Sequence, residues 1–146
     1  MTEMTIRQAI AEDALACAAI HNDWIDATPW MPRVHAPQEV EAYYSVYLLA
    51  KTRAFVVSDP IRAYLSLTAD GFVSALYSAR PGKGFGKALI NHAKGLETAL
   101  SLWTFQANTG ARRFYEREGF RAMRQTDGDN EEGLPDILYR WVADDA

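Results

Sequence analysis

At 146 residues the chain fits one domain, residues 1–146, and is long enough to bury a core. Hydrophobic residues make up 49% and charged residues 23%, a globular composition that argues against disorder. The net charge of −4 speaks against nucleic acid as a partner, since that would require a basic face, and a single cysteine, Cys17, excludes an intrachain disulfide and a thiolate-built metal site. Met1 to Arg7 carries Glu3 and lacks an apolar h-region, so no signal peptide is expected. The longest apolar-leaning stretch, Ala42 to Ala50, is too short to span a bilayer. A cytoplasmic protein without a membrane partner is the expectation, with Cys17 a small core residue.

In chain order, Thr5 to Ala9 reads as a first strand. Ala11 to Ile25 follows a helical period through Leu15, Ala18, Ala19 and Ile25. Pro29, Pro32 and Pro37 then break the chain into a loop holding Trp30 and Met31. Gln38 to Lys51 resumes a helix through Val40, Tyr44, Tyr47 and Leu48. Arg53 to Ser58 alternates through Phe55 and Val57, and Ile61, Ala63, Leu65 and Leu67 mark one face of the next strand. Asp70-Gly71 predicts a hairpin into the strand Phe72–Ala79.

A glycine-rich turn, Pro81-Gly82-Lys83-Gly84-Phe85-Gly86, opens a helix with Phe85, Leu89, Ala93, Leu96 and Leu100 on one face. Leu102 to Gln106 is β-prone, and Asn108 to Glu118 is a short helix that Gly119 closes. Phe120 to Gln125 and Asp136 to Val142 are the last strands, joined by the polar loop Thr126–Pro135. The sum is an α/β domain around a mixed, mostly antiparallel sheet.

A strand, a glycine turn and a helix N-terminus in succession make an anion site, because backbone N–H groups and the helix dipole face the ligand. The turn is not a Walker A loop: Gly82 and Gly86 have three residues between them, and Ala88 follows Lys87. Nor is it a dinucleotide fingerprint, whose third glycine would fall on Lys87 or Leu89. A Gly-x-Gly turn suited to a pyrophosphate remains, with Lys83 and Lys87 adding positive charge. A plain strand-to-helix turn is the alternative.

The segment from Asn108 to Phe120 resembles a conserved block of the GNAT superfamily of N-acetyltransferases, Asn-x-x-Ala-x-x-Phe-Tyr-x-x-x-Gly-Phe, matched at Asn108, Ala111, Phe114, Tyr115, Gly119 and Phe120. With Leu76-Tyr77 and the turn from Gly82 to Leu89, the resemblance covers about residues 72 to 123. It implies the GNAT acyl-CoA N-acyltransferase fold, with helices on both faces of the sheet and strands 4 and 5 splayed apart. Acetyl-CoA, as co-substrate, would lie in the cleft. Its pantetheine would bond the main chain of Leu76, Tyr77 and Ser78, and its pyrophosphate the N–H groups of Gly82, Lys83, Gly84, Phe85, Gly86, Lys87 and Ala88. Asn108 would contact the pantetheine arm. Pro81 stands where the family usually has Gln or Arg, with Arg80 one place earlier, and proline has no N–H to offer a phosphate.

The implied activity is direct transfer of acetyl to a primary amine of a small molecule or peptide, with Tyr115 as general acid to the CoA thiolate and a backbone N–H of the Leu76–Ser78 strand facing the oxyanion. The strand Phe72–Ala79 carries no acid, so His21, His35, Glu39 and Asp136 are the candidate bases. Trp30 and Met31 either line the acceptor pocket or plug the loop. The acidic run Asp127, Asp129, Glu131, Glu132 and Asp136 is either a solvated hairpin or a lid that attracts a cation. Transfer of another acyl group, and a catalytically inactive acyl-CoA-binding regulatory module, are the competing readings. A homodimer is the one candidate assembly, the sequence does not give the oligomeric state, and no metal is expected.

Overall fold

A computed structural model describes residues 5–58, 60–80 and 82–144. In order they form β1 (Thr5–Gln8), a 3-10 turn (Ala11–Asp13), α1 (Ala14–Ala27), α2 (Pro37–Lys51), β2 (Arg53–Ser58), β3 (Ala63–Leu67) and β4 (Val73–Ser78). Then come α3 (Phe85–Lys94), β5 (Ala99–Phe105), α4 (Thr109–Arg117), β6 (Arg121–Thr126) and β7 (Asp136–Val142). The strands make two antiparallel sheets, β1-β2-β3-β4 and β5-β7-β6. Among the described residues no helix is long and apolar enough to cross a membrane.

Alternation in β2 and β3 explains how both faces of the first sheet are covered. Phe55, Val57, Leu65 and Leu67 pack against Phe85, Leu89, Ile90 and Ala93 of α3, and α4 joins this core through Tyr115. Ala54, Val56 and Tyr64 point the other way, against Cys17 and Ala18 of α1 and Val40, Tyr44 and Leu48 of α2. Each such aliphatic side chain contributes about 2 kcal/mol. Cys17 is fully buried, as expected of a core residue, and burial pushes its thiol up to about 12, so it stays protonated and inert.

Three expectations are corrected. The buried stripe of α1 is Ala14, Cys17, Ala18 and Ile20, while Leu15 is 58% exposed and Ala19 faces solvent. The small residues let α1 lie close to its neighbours, which the bulk of Leu15 would prevent. The third helix stops at Lys94 with Gly95 as its cap, so Leu96 lies beyond it and Leu100 is a buried residue of β5. Ile61 precedes β3 and packs with the α1–α2 core rather than with Leu65.

Two local devices position the site. The Asp70-Gly71 hairpin forms as expected, with Gly71 at φ +83°. Its carbonyl accepts the Ser101 N–H at 3.0 Å, and a parallel bridge pairs Phe72 with Ser101. Just beyond, β4 carries a bulge: Leu67 faces Val73 and Ser66 faces Ala75, leaving Ser74 as the extra residue. A bulge bends and twists its strand. The sheets are therefore pinned at Phe72 and Ser101, and β4 and β5 diverge from there, which is the expected splay of strands 4 and 5.

At the other end of the sheet, Asp13 ties α1 to β1. Its carboxylate accepts from Arg7 Nη1 and Nη2 at 2.7 and 3.0 Å and from the Ile10 N–H at 2.8 Å. The Arg7 hydrogen bonds hold the Asp13 carboxyl below its usual range, against the opposing effect of burial. With the folded value depressed, this stability is full above the unfolded carboxylate pKa and is lost as pH falls through the folded one. Asp13→Asn is expected to cost about 1–3 kcal/mol at pH 7 and much less near pH 2. Urea midpoints of both proteins at the two pH values test this, and an equal loss at both would refute it.

Candidate functional site

The splay leaves a groove of about 700 Å³ between β4 and β5, closed at one end by the glycine turn and floored by α4. It brings together Leu76, Tyr77 and Ser78 of β4, Gly82, Lys83 and Gly84 of the turn, Phe85, Gly86 and Lys87 at the start of α3, and Asn108 and Tyr115 of the second motif. Ala88 is not in the lining, and its N–H donates to the Gly84 carbonyl at 3.1 Å, so it is not free for a ligand. Pro81 lies outside the described residues. Sequence reasoning missed Trp24 and the β5 residues Leu102 to Phe105, because nothing local marks a strand that runs beside β4 without pairing to it.

Strand geometry sets which backbone groups face the groove. Ala79 donates its N–H to the Arg62 carbonyl at 2.7 Å, and Tyr64 pairs with Tyr77. Alternation then turns the N–H and C=O of Tyr77 towards β3 and those of Leu76 and Ser78 towards the gap. An unpaired edge of this kind accepts an extended ligand as if it were a strand.

The turn presents backbone donors at the N-terminus of α3. Gly84 caps α3 at φ +81°, a left-handed conformation that a side chain would strain. The N–H groups of Gly82 to Lys87 donate to no other described residue. Gly86 packs against Phe114 of α4: a Cβ there would touch Phe114 Cζ at 3.4 Å, so a methyl just fits and a larger side chain would press on the ring. Arg80, Lys83, Lys87 and Arg117 rim the groove, with Glu118 the one carboxylate among its described residues. Asn108 caps α4, its Oδ1 accepting the Ala111 N–H at 3.1 Å.

Tyr115 lies at the floor. Its ring is held by Phe114, Phe120 and Tyr139, with centroids 5.2, 5.6 and 6.1 Å away. Its hydroxyl bonds to no described residue. Burial, and secondarily Tyr77, raise its phenol well above the usual value, so the hydroxyl keeps its proton across the physiological range.

A second cavity, about 750 Å³, lies on the other side of β4, walled by α1, α2, β3 and β4 and roofed by Glu131 and Glu132 of the loop between β6 and β7. Ser74, Ala75 and Tyr77 line both cavities, so the two meet across this part of β4. Tyr77 is pushed up to about 12 by burial and then by the charge of Glu132. Met31 lines the cavity, whereas Trp30 packs edge-on between Trp24 and Phe105, at 5.9 and 5.8 Å, and bridges α1 to β5. The acidic loop is thus partly a roof: Glu131 accepts a hydrogen bond from His35 Nε2, whose Nδ1 lies 3.9 Å from Glu39.

Of the candidate bases, Asp136 is excluded by position. It is buried at the start of β7, bonded to Thr126 Oγ1 at 2.5 Å and Asn130 Nδ2 at 3.0 Å, and lines neither cavity. His21 does line the second cavity, stacked on Tyr77 at 4.6 Å with Nδ1 2.8 Å from the Tyr44 hydroxyl. Tyr44 in turn bonds the buried Tyr64 hydroxyl, which has no other described partner. Tyr64 must therefore donate to Tyr44, and Tyr44 to His21 Nδ1. The reverse order would strand the Tyr64 proton at about 1–3 kcal/mol. This fixes His21 as the Nε2–H tautomer, a donor. Burial and the Arg33 charge lower its pKa to about 4, so it is neutral at pH 7. Among the described residues no group of three or more His, Cys, Asp or Glu could hold a metal ion.

The chain matches no model of a protein family and no curated protein sequence. Solved structures match over nearly its whole length. The apo form of YjaB from Escherichia coli is 21% identical, covering 98% of this chain and 100% of that one, with a TM-score of 0.79. A GCN5-related N-acetyltransferase from Rhodopseudomonas palustris is 19% identical over 97% of each chain, with a TM-score of 0.79. The yncA protein from Salmonella typhimurium, solved with its cofactor acetyl-CoA, is 21% identical over 99% of this chain and 96% of that one, at a TM-score of 0.73. At these identities the likeness establishes the fold, which is that of the GNAT acetyltransferases.

Proposed function

We propose that this chain is an acetyl-CoA-dependent N-acetyltransferase acting as one cytoplasmic domain. One observation carries the reading: two cavities meet across Ala75 and Tyr77 of β4, one rimmed by cations and free N–H groups, the other by carboxylates. An anionic nucleotide suits the first and a cationic amine the second. The Salmonella protein of the same fold, solved with acetyl-CoA, supports the choice of donor.

In this reading the pyrophosphate lies on the N–H groups from Gly82 to Lys87, with Arg80, Lys83 and Lys87 adding charge. The pantetheine runs along Leu76 and Ser78, and its thioester reaches the junction near Tyr77. The ammonium first loses a proton to water. Its nitrogen lone pair then forms the N–C bond, and the carbonyl oxygen becomes an oxyanion that the Leu76 N–H can face. The nitrogen sheds its second proton, the C–S bond breaks with its electron pair on sulfur, and Tyr115 protonates the thiolate. Water reprotonates the phenolate. The net reaction consumes a protonated amine and releases one proton. His21, fixed as a donor, takes no part as base.

The absence of a carboxylate on β4 lends some weight to an inactive acyl-CoA-binding module. Tyr115 variants, discussed below, separate the two. Competition among acyl-CoAs of increasing length tests whether acetyl is the group transferred.

Calorimetry with acetyl-CoA, on protein freed of copurified nucleotide, is the deciding experiment. Micromolar binding is expected, weakened at least tenfold by Gly86→Leu, whose side chain would push α3 off Phe114. No binding up to millimolar acetyl-CoA would end the enzyme assignment.

A further inference from the structure

The second cavity carries a chemical bias of its own. Its volume, about 750 Å³, is in the range that holds drug-sized ligands and far exceeds what a methylammonium group fills. Along one face of α2 it receives Glu39, Tyr43, Tyr47 and Lys51, each four residues after the last. Tyr43 and Tyr47 stand with centroids 4.9 Å apart, yet are 59% and 38% exposed. Two aromatic rings left largely uncovered inside a concavity offer ring surface to a ligand, with only the Lys51 ammonium over the Tyr47 ring. The same cavity is lined by Tyr44 and by the stacked pair of His21 and Tyr77.

The electrostatics point the same way. Glu39, Glu131 and Glu132 line the cavity, with Lys51 the one ammonium among its described residues. His35 lies between Glu131 and Glu39, and Glu132 faces neither His35 nor Lys51 in a hydrogen bond or ion pair. His21, the group that would oppose a cation deep in the cavity, is held neutral. Lys51 itself sits 4.7 Å from the centroid of Tyr47, so the protein already uses this ring to hold a positive charge. Glu132 acts on Tyr77, which marks the carboxylate as within electrostatic reach of the junction where acetyl transfer would occur.

On the acetyl-transfer reading above, we infer that the acceptor is an arylalkylamine: a protonated primary amine on a short chain, carried by an aromatic body. The ring lies between the tyrosines of α2 and the His21–Tyr77 pair, and the ammonium points to the junction within the field of Glu132. An amino acid is disfavoured, because its α-carboxylate would enter beside Glu131 and Glu132. A saturated amine of equal size gains the volume but not the ring faces.

Three probes of nearly equal length test this: 2-phenylethylamine, 2-cyclohexylethylamine and phenylalanine, with acetyl-CoA as donor. The expected kcat/KM for 2-phenylethylamine exceeds that for the cyclohexyl analogue about 3–10-fold, the worth of aromatic pairing. It exceeds that for phenylalanine at least 30-fold. Tyr43→Leu with Tyr47→Leu should erase the first preference, and Glu132→Gln should narrow the second about tenfold by helping phenylalanine and hurting 2-phenylethylamine. Acetyl-CoA affinity, measured on the same samples, should be unchanged in each variant. Equal rates for ring and cyclohexane, a preference for phenylalanine, or preferences that survive these substitutions would overturn the inference. So would intact acetyl-CoA binding with no turnover of 2-phenylethylamine. Loss of acetyl-CoA binding by the unmodified protein would instead sink the acetyl-transfer reading itself.

Discussion

Replacing Tyr115 with Phe is expected to lower kcat for acetyl transfer about 100-fold and to leave the Kd for acetyl-CoA within about twofold. General acid catalysis contributes factors of this order or larger. The substitution is unusually clean here, since Phe fills the same space against Phe114, Phe120 and Tyr139. The hydroxyl it removes bonds to no described residue, so no partner is left unsatisfied. A phenol raised by burial is a weaker acid in the free protein than one in water. The CoA thiolate, however, would form in the same desolvated floor, and desolvation raises its proton affinity as well. The gap between donor and acceptor therefore stays small where it matters. Because burial raises the phenol above its ordinary value, an alkaline limb in the rate of the unmodified protein is expected to come from another group. Steady-state kinetics paired with calorimetry make the measurement. An unchanged kcat would make Tyr115 a core residue only, whereas a parallel loss of acetyl-CoA affinity would mean that the groove itself had been disturbed.

How much of this was legible beforehand depends on whether the determinant is local. Asn108 caps α4 through its own side chain and Gly119 leaves it at φ +92°, both short-range facts, and the helix lies where its sequence predicts. The bounds of β7, Asp136–Val142, and the hairpin at Asp70-Gly71 were readable for the same reason. The end of α3 was not. Leu96 and Leu100 continue the helical spacing of Leu89 and Ala93, and only the pairing of Leu100 with Trp141 of β7 makes it a strand residue. Leu15 misleads similarly, because which face of α1 is buried depends on what α1 meets. The groove's glycines and Tyr115 were visible through a motif, but Trp24 and Leu102 to Phe105 were not, since they contribute by proximity alone. The second cavity draws on α1, α2, β3, β4 and the β6–β7 loop, and no single segment announces it. The i, i+4, i+8, i+12 series of Glu39, Tyr43, Tyr47 and Lys51 is the one part a closer reading could have isolated.

Gly71→Ala should destabilise the fold by about 2–4 kcal/mol, two to three times the loss from Gly133→Ala. The comparison separates strain from collision. Both glycines have positive φ, +83° and +69°, so both substitutions incur the left-handed penalty of about 1–2 kcal/mol. At Gly133 a new Cβ meets nothing within 4 Å. At Gly71 it would lie 2.6 Å from the Ala99 carbonyl oxygen, a backbone atom that cannot rotate aside. Moving it means moving the start of β5, where Ser101 donates to the Gly71 carbonyl and Phe72 makes its bridge. That contact is the hinge pin of the groove: β4 and β5 diverge from it, and their separation further along follows from the angle it sets. Urea midpoints of the two variants give the stability comparison. On this account Gly71→Ala also weakens acetyl-CoA binding in the fraction that remains folded, while Gly133→Ala does not. Equal losses of stability at the two positions would mean that the sheets tolerate a wider join, and the splay would then need another cause, with the Ser74 bulge the first to examine.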